Sequence, residues 1–418
     1  MSIKCLDLEN YKAFARRAEF KIRPITLFYG YNSAGKSAAL RFLKILADST
    51  DGTSFAPINL GSDAIRGSNF QSILSKYNSS QRLEFGLAFE HFEVNFTVFE
   101  VREKNSQIIQ RLEINAFENS KSIVLDWNPY GLPLENALSS YAFFDDQEKI
   151  FDEEITFDGL VPLKYSERLA PFLAPLAHEL RKFSRNFVSL APDCTVPGRF
   201  HTETTPARKI SYRGDGVVSR LQSADDDVIA DISNWYQKAT GYLFVRSEIT
   251  IGNQSGHRFT LHPNADLNID VDIIDTGEGM GQVLPVVSLL TLAQHNVLGS
   301  NPVISLEHPE LHIHPDAHAH LADLFCRVIS ENENCSILVE THSENLLLGL
   351  QLAVARGEVS PNDIAIHWVR GTEMGAVVEV IELDEGARPI KDNWPIDVYR
   401  KNSKIAREIF ETRKKIER

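Results

Sequence analysis

"ITLFYGYNSAGKS", residues 25–37, runs from an apolar stretch into a glycine-punctuated loop and ends in Lys-Ser. Its first six residues read as a short buried strand that stops at glycine. The segment that follows, "KSAALRFLKILA", sets Leu40, Leu43 and Ala47 at helical spacing, with Arg41 and Lys44 expected to face away. Between strand and helix, "GYNSAGKS" matches G-x-x-x-x-G-K-[ST] without deviation and in the context that pattern requires. Glycine at 30 and 35 lets the backbone curl so that successive N–H groups point at phosphate oxygens. The helix N-terminus adds a favourable partial charge. Gly30, Asn32, Ser33, Ala34, Gly35, Lys36 and Ser37 are therefore assigned to the phosphates of a nucleotide. Lys36 would reach the β- and γ-phosphates, and the Ser37 hydroxyl would ligate Mg²⁺.

Such a loop needs an acid at the end of a second apolar strand to complete the metal site. "NPVISLE" meets that need with Glu307, and "CSILVETHS" offers a third strand ending at Glu340, followed by Thr341, His342 and Ser343. In a parallel sheet such strand ends converge on one edge, where ligands bind. Five of the chain's thirteen histidines fall in "ISLEHPELHIHPDAHAH", residues 304–320. A zinc cluster is a poor reading of them.

The remaining sequence bounds the class. Its 418 residues allow two or three domains, or one large domain with an inserted lobe. No apolar run reaches the roughly 18–20 residues that cross a bilayer. The four cysteines form no CxxC pair, and the N-terminus lacks a secretory core, so a cytoplasmic location without membrane contact is expected. A net charge of −14 argues against a surface coated for nucleic acid. Residues 400–418 nevertheless carry eight Lys or Arg against three Glu, a local +5 that leaves −19 elsewhere. Strand-like segments fill 83–114, an acidic and partly helical stretch covers 116–187, and strands resume near Val188. The expected division is an N-terminal part of a head (1–115), an inserted helical lobe (116–187), a C-terminal part of the head (188–395) and a basic helical tail (396–418).

Four segments together resemble the ABC-type ATPase heads of the SMC/RecF group, in the branch with OLD-like proteins. They are "IKCLDLENYKAF" with the phosphate loop, "GSNFQSILSKYN" (67–78), "DTGEGMGQVLPVV" (275–287), and "ISLEHPELHIHP" with "VETHS". "DNWPIDVYRKN" is similar to a short extension on that branch. The resemblance covers about 1–115 and 188–395. It implies an α/β fold, an ABC-type P-loop NTPase head with a mixed sheet, an antiparallel β lobe and an inserted, partly helical lobe. It also implies ATP and Mg²⁺ as cofactors and a homodimer or higher oligomer in which two heads sandwich ATP.

In that arrangement Gly277, Gly279, Gly281 and Gln282 of one subunit would face the γ-phosphate held by the other, at a helix beginning near Gln282. Gly281 departs from the serine common in relatives. Gln71 stands at the Q-loop position. The resemblance puts Glu307 with Ser37 on Mg²⁺, and His308 where many ABC ATPases carry the catalytic glutamate. Glu310 is the alternative water-activating acid, and His342 the γ-phosphate sensor. His312 and His314 would belong to a dimer-facing loop, with His318 and His320 on the next helix. The expected function is a slowly hydrolysing ATPase that regulates a bacterial anti-phage system, with a separate nuclease or toxin as effector. A DNA-repair or chromosome-maintenance ATPase, with DNA as a further partner, and an ATP-stabilised scaffold are the alternatives.

Overall fold

The computed structural model describes residues 3–104, 106–117, 121–128, 140–145, 148–202, 209–391 and Trp394. The basic tail expected at 396–418, and most of "DNWPIDVYRKN", lie outside the described residues.

A six-stranded sheet organises the molecule. Its order is β12 (Phe187–Leu190), β17 (Val303–Glu307), β18 (Ser336–Thr341), β3 (Ile25–Gly30), β19 (Ile364–Thr372) and β20 (Gly375–Ile381). The first five run parallel, and β20 returns antiparallel along β19. β3, β17 and β18 are buried along their whole length, as parallel strands covered on both faces must be. Alternation sends Ile25 and Leu27 to one face and Phe28 to the other.

The Ile25 face is covered by helices. These are α4 (Val217–Gln222), α5 (Asp226–Thr240), α6 (Glu278–Gln294), α7 (Pro315–Glu331) and α8 (Glu344–Ala355). α6 is buried at every position from Val283 to Gln294, which is why its sequence is apolar on all sides rather than striped. Beside them a four-stranded sheet joins β13 (His201–Thr202), β14 (Tyr242–Ile251), β15 (Gln254–Pro263) and β16 (Val271–Asp272).

The Phe28 face carries α1 (Lys36–Asp48) and an antiparallel lobe. The lobe is an eight-stranded sheet, from β2 (Ala18–Lys21) and β1 (Cys5–Glu9) through β4 (Arg82–Ala88), β5 (Phe92–Val101) and β6 (Ser106–Ala116). It does not stop there. β7 (Ser122–Trp127), β8 (Ser140–Asp145) and β9 (Glu148–Glu154) extend the same sheet, and β10 (Thr156–Asp158) pairs with β11 (Val161–Lys164). The described residues of the stretch expected as an inserted helical lobe thus hold strands β7–β11 as well as helix. Among the described residues its one long helix is α3 (Ala170–Asn186), burying Leu173, Leu176, Leu180 and Phe183 against the same core. Apolar Val124 on the half-exposed face, between buried Ile123 and Leu125, hid the period-two pattern of "SIVLDW". A further helix, α2 (Phe70–Ile73), lies between α1 and β4 in sequence and is a single turn.

Candidate functional site

The loop after β3 owes its shape to residues in the left-handed region. Gly30 has φ 146°, Ser33 φ 61° and Gly35 φ 113°. At Gly30 a side chain is impossible, because a Cβ would lie 2.2 Å from the carbonyl oxygen of Val369 on β19. Lys36 opens α1 and folds back over the loop, donating to the carbonyls of Gly30 at 2.9 Å and Tyr31 at 2.8 Å. Its Nζ is also 3.2 Å from His342 Nε2. Burial draws the Lys36 pKa down to about 8, against the pull of Glu340 and Glu310.

Ser37 is bonded to an acid, and that acid is Glu340: Oγ donates to Oε1 at 2.6 Å. Glu307, expected at the metal, is occupied elsewhere. Arg41 Nε lies 2.9 and 3.0 Å from its two oxygens, and the Tyr212 hydroxyl also donates to it. Arg41 therefore does not face away as expected from the helical spacing. Four residues after Ser37, it points from the same side of α1 into the strand ends.

His308 sits at the turn after β17 with φ 46°. Its ring stacks on His342 at 5.0 Å between centroids and 10° between planes. Nδ1 faces Glu310 at 3.7 Å, and Nε2 faces Glu340 at 3.4 Å. Burial lowers the His308 pKa, but the two carboxylates outweigh it and raise the pKa to about 9. The two carboxylates thus favour the protonated form of this ring. His342 is held below its ordinary value, by burial first and then by Lys36 and His308. Burial would raise Glu340 and Glu310, yet their partners hold both below the usual carboxylate range. Glu310 accepts from Thr341 Oγ1 at 2.6 Å and from the His342 N–H at 3.1 Å, tying the turn after β17 to the turn after β18.

The other histidines of this stretch have separate tasks. His314 caps α7, accepting from the Asp316 N–H at 3.3 Å. His318 Nδ1 is 2.7 Å from Ser343 Oγ, the N-cap of α8. His320 faces Asp323 at 3.7 Å, and His312 has φ 72°. No group of three or more metal-ligating side chains stands together among the described residues.

The glycine-rich segment begins its helix earlier than expected. Gly277 is the N-cap and α6 starts at Glu278, so Gly279 and Gly281 lie in its first turns. A Cβ on Gly279 would lie 2.0 Å from the His312 carbonyl oxygen, and one on Gly281 2.6 Å from Val196 Cγ1. A side chain at 281 would thus have to push the Val196 side chain aside. Gly277 is exposed, and a Cβ there would meet no atom within 4 Å. Gln282 Nε2 donates to Glu278 Oε1 at 2.9 Å. Gln71 is turned to the lobe, donating to Glu100 at 3.1 Å and accepting from Arg102 at 3.3 Å.

Two residues central to this geometry, Arg41 and Tyr212, were not picked out from the sequence, and Glu340 stood there only as the end of a third strand. Position four after Ser37 was the available signal for Arg41. Tyr212 has no local signal, since it meets Glu307 only through the tertiary fold.

A family model described as "AAA domain, putative AbiEii toxin, Type IV TA system" matches residues 25–348, from the first residue of β3 into α8. The chain belongs to this family. It is accordingly a member of a family of P-loop ATPases, and its mixed sheet beside an antiparallel lobe is the ABC-type head architecture expected from the sequence. Several solved structures are similar. An SMC head bound to the C-terminal winged-helix domain of ScpA is 11% identical, covering 92% of this chain and 99% of that one, with TM-score 0.45. The SMC head domain from Thermotoga maritima is 12% identical over 92% and 100%, with TM-score 0.40. A Pyrococcus furiosus SMC head with an extended coiled coil, bound to the C-terminal domain of ScpA, is 10% identical over 98% and 99%, with TM-score 0.46. No curated protein matches the sequence. Among the described residues no helix is long and apolar enough to cross a membrane.

Proposed function

We propose that this chain is an ATP-binding, slowly hydrolysing head that dimerises around nucleotide and regulates a separate effector of a toxin–antitoxin or anti-phage system. The observation that carries the reading is the direct wiring of the P-loop to the strand ends. Lys36 meets His342 at 3.2 Å and Ser37 meets Glu340 at 2.6 Å, so phosphate at the loop is felt by β18 and the turn after it. The Lys36 ammonium is held by two carbonyls that a phosphate, with its full charge, would outcompete. The loop N–H groups and the α1 N-terminus supply the remaining stabilisation.

A hydroxyl and buried carboxylate oxygens make a hard donor set suited to Mg²⁺. Bound there, the ion would neutralise charge on the β- and γ-phosphates. Slow turnover follows from how His308 is used. Both ring nitrogens face carboxylates, leaving neither free to accept a proton from water. Glu310 keeps one oxygen without a partner and is the better-placed base. Gly277, at the exposed start of α6, is the point at which a second head would approach a phosphate. The family's description as part of a type IV toxin–antitoxin system supports a partner protein.

Lys36→Ala tests the reading. The folded variant should lose at least about 100-fold in affinity for an ATP analogue, the loss of a charge-assisted contact of roughly 3 kcal/mol. Unchanged affinity would remove the proposal. Co-purification with the product of the adjacent gene tests the effector.

A further inference from the structure

Two segments distant from the P-loop in sequence meet beside it as one body. The chain leaving β12 runs on from Ala191 to Val196, and residues 211–216 close a tight turn against it. The Ala191 N–H donates to the Tyr212 carbonyl at 2.7 Å, and the Thr195 N–H to the Arg213 carbonyl at 2.8 Å. Within the turn, Ser211 Oγ donates to Asp215 Oδ2 at 2.8 Å and accepts the Asp215 N–H at 2.9 Å. This unit reaches the nucleotide side through one buried side chain. The Tyr212 hydroxyl donates to Glu307, whose two oxygens also hold the Arg41 guanidinium. Arg41 stands five residues after Lys36 on α1, and Glu307 ends β17. The neighbouring Lys209 adds only a solvent-exposed pair with Asp51, which contributes little.

The other side of the unit rests on α6 at two positions one turn apart. Val196 packs where a Cβ on Gly281 would stand, and a Cβ on Gly214 would lie 3.0 Å from Pro285 Cβ. These are also the positions at which α6 is weakest. Pro285 has no N–H, so the Gly281 carbonyl cannot receive the helical hydrogen bond that residue 285 would otherwise supply. Gly281 adds the backbone freedom of glycine. Proline is the usual point at which a helix bends. Here the bend separates the glycine-rich start of α6, next to Gly277, from the part beyond Val283 that is buried at every position.

We infer that Tyr212 is a positioning residue: through Glu307 and Arg41 it ties the P-loop helix α1 to the bend in α6, so that nucleotide at Lys36 sets the angle of the Gly277 end. The inference rests on the nucleotide-binding, dimerising reading above and adds the link that joins the two events within one chain. The hydroxyl carries the link, because the buried ring fills its space with or without an oxygen. Without the hydroxyl Glu307 keeps Arg41, and the unit keeps its backbone bonds and its packing on α6. The fold then stands while α1 and α6 move independently. Coupling between two binding events is a free energy, read as a ratio of affinities.

The test is sedimentation velocity of the full chain, alone and with Mg²⁺ and a non-hydrolysable ATP analogue at a level saturating for each protein. The two dimer dissociation constants give a ratio that measures the coupling, and saturation keeps any change in analogue affinity out of it. In the wild-type chain the analogue should tighten the dimer by about 10- to 100-fold. Tyr212→Phe should bring the ratio close to one. A tyrosine that only supports the fold would lower the unfolding midpoint and leave the ratio as in the wild type, and that result overturns the inference. Should Tyr212→Phe not fold, Val196→Ala withdraws the contact on Gly281 with the hydroxyl in place. It should lower the ratio in the same direction, and a wild-type ratio there also overturns the inference. A wild-type chain that binds no analogue defeats the ATP reading, and one that binds it but stays monomeric defeats the dimer reading. Either result overturns this inference as well, and both are seen before any variant is made.

Discussion

His367, on β19, is fully buried between Phe20 and Phe28, with ring centroids 5.4 and 5.7 Å away. Nε2 is 2.8 Å from the Lys21 carbonyl and must donate to it, while Nδ1 has no partner, which defines a neutral tautomer. Burial, helped by Lys21 and Arg23, lowers its pKa to about 4. The unfolded chain, near 6.5, binds the proton that the folded chain refuses. Stability is therefore full above pH 6.5 and falls as pH drops from there towards 4, by up to about 3 kcal/mol from this group. His367→Phe gives up one hydrogen bond, about 1 kcal/mol at pH 7, but removes this slope. Urea midpoints measured from pH 7 to 4.5 should converge for the two proteins and then cross. Parallel curves would mean that His367 is not buried neutral.

At the scale of elements, the start of α6 separates two kinds of glycine. Gly277 is exposed and open, whereas Gly279 touches the His312 backbone that follows β17. The two positions give opposite expectations for one substitution. Gly277→Arg should leave the unfolding midpoint within about 0.5 kcal/mol of wild type and should abolish ATP-promoted dimerisation seen by light scattering. Gly279→Arg should destabilise the fold by about 3 kcal/mol or more, because the His312 loop has nowhere to go. An obstructive change at Gly279 would therefore not isolate the interface. A Gly277→Arg protein that still dimerises with ATP would place the contact elsewhere. The same close approach couples α6 mechanically to the turn that carries His308 and Glu310.

At the scale of the molecule, one sheet serves two cores. Ile25, Leu27, Ile304, Leu306, Ile337 and Val339 belong to the helical side, and Phe28, Val303, Leu338 and Val369 to the lobe side. Neither side can unfold without stripping one face of β3, β17 and β18. Heat unfolding should therefore be a single transition by calorimetry and by near-ultraviolet dichroism. The P-loop leaves from the shared strand β3, so Mg²⁺ with an ATP analogue at 100 times its Kd should stabilise the whole transition by about 2.7 kcal/mol. Two resolved transitions, only one of them moved by nucleotide, would show that the lobe folds separately.

How much of this was legible follows from the range of the forces involved. The phosphate loop, the three buried strands and the buried helix α6 are written in consecutive residues, because backbone conformation at glycine and hydrophobic periodicity are local. "GYNSAGKS" after "ITLF" was sufficient for the P-loop, and "VISLE" and "SILVET" for strands ending at one edge. The lobe's extension through β7–β9 was not legible, since β7 mixes apolar residues on both faces and the edge strand β9 is rich in acids, so neither shows a clean alternation. The partners of the acids were not legible either. Glu307 and Glu340 end similar strands, and only the order in which those strands lie beside β3 gives one to Ser37 and the other to Arg41 and Tyr212. Glycine at 281 likewise looked like a missing hydroxyl until Val196, 85 residues away in sequence, was seen packed against it. The sequence by itself determined which backbone could cradle a phosphate, while pairing and burial, which depend on residues far apart in the chain, were decided by the tertiary structure alone.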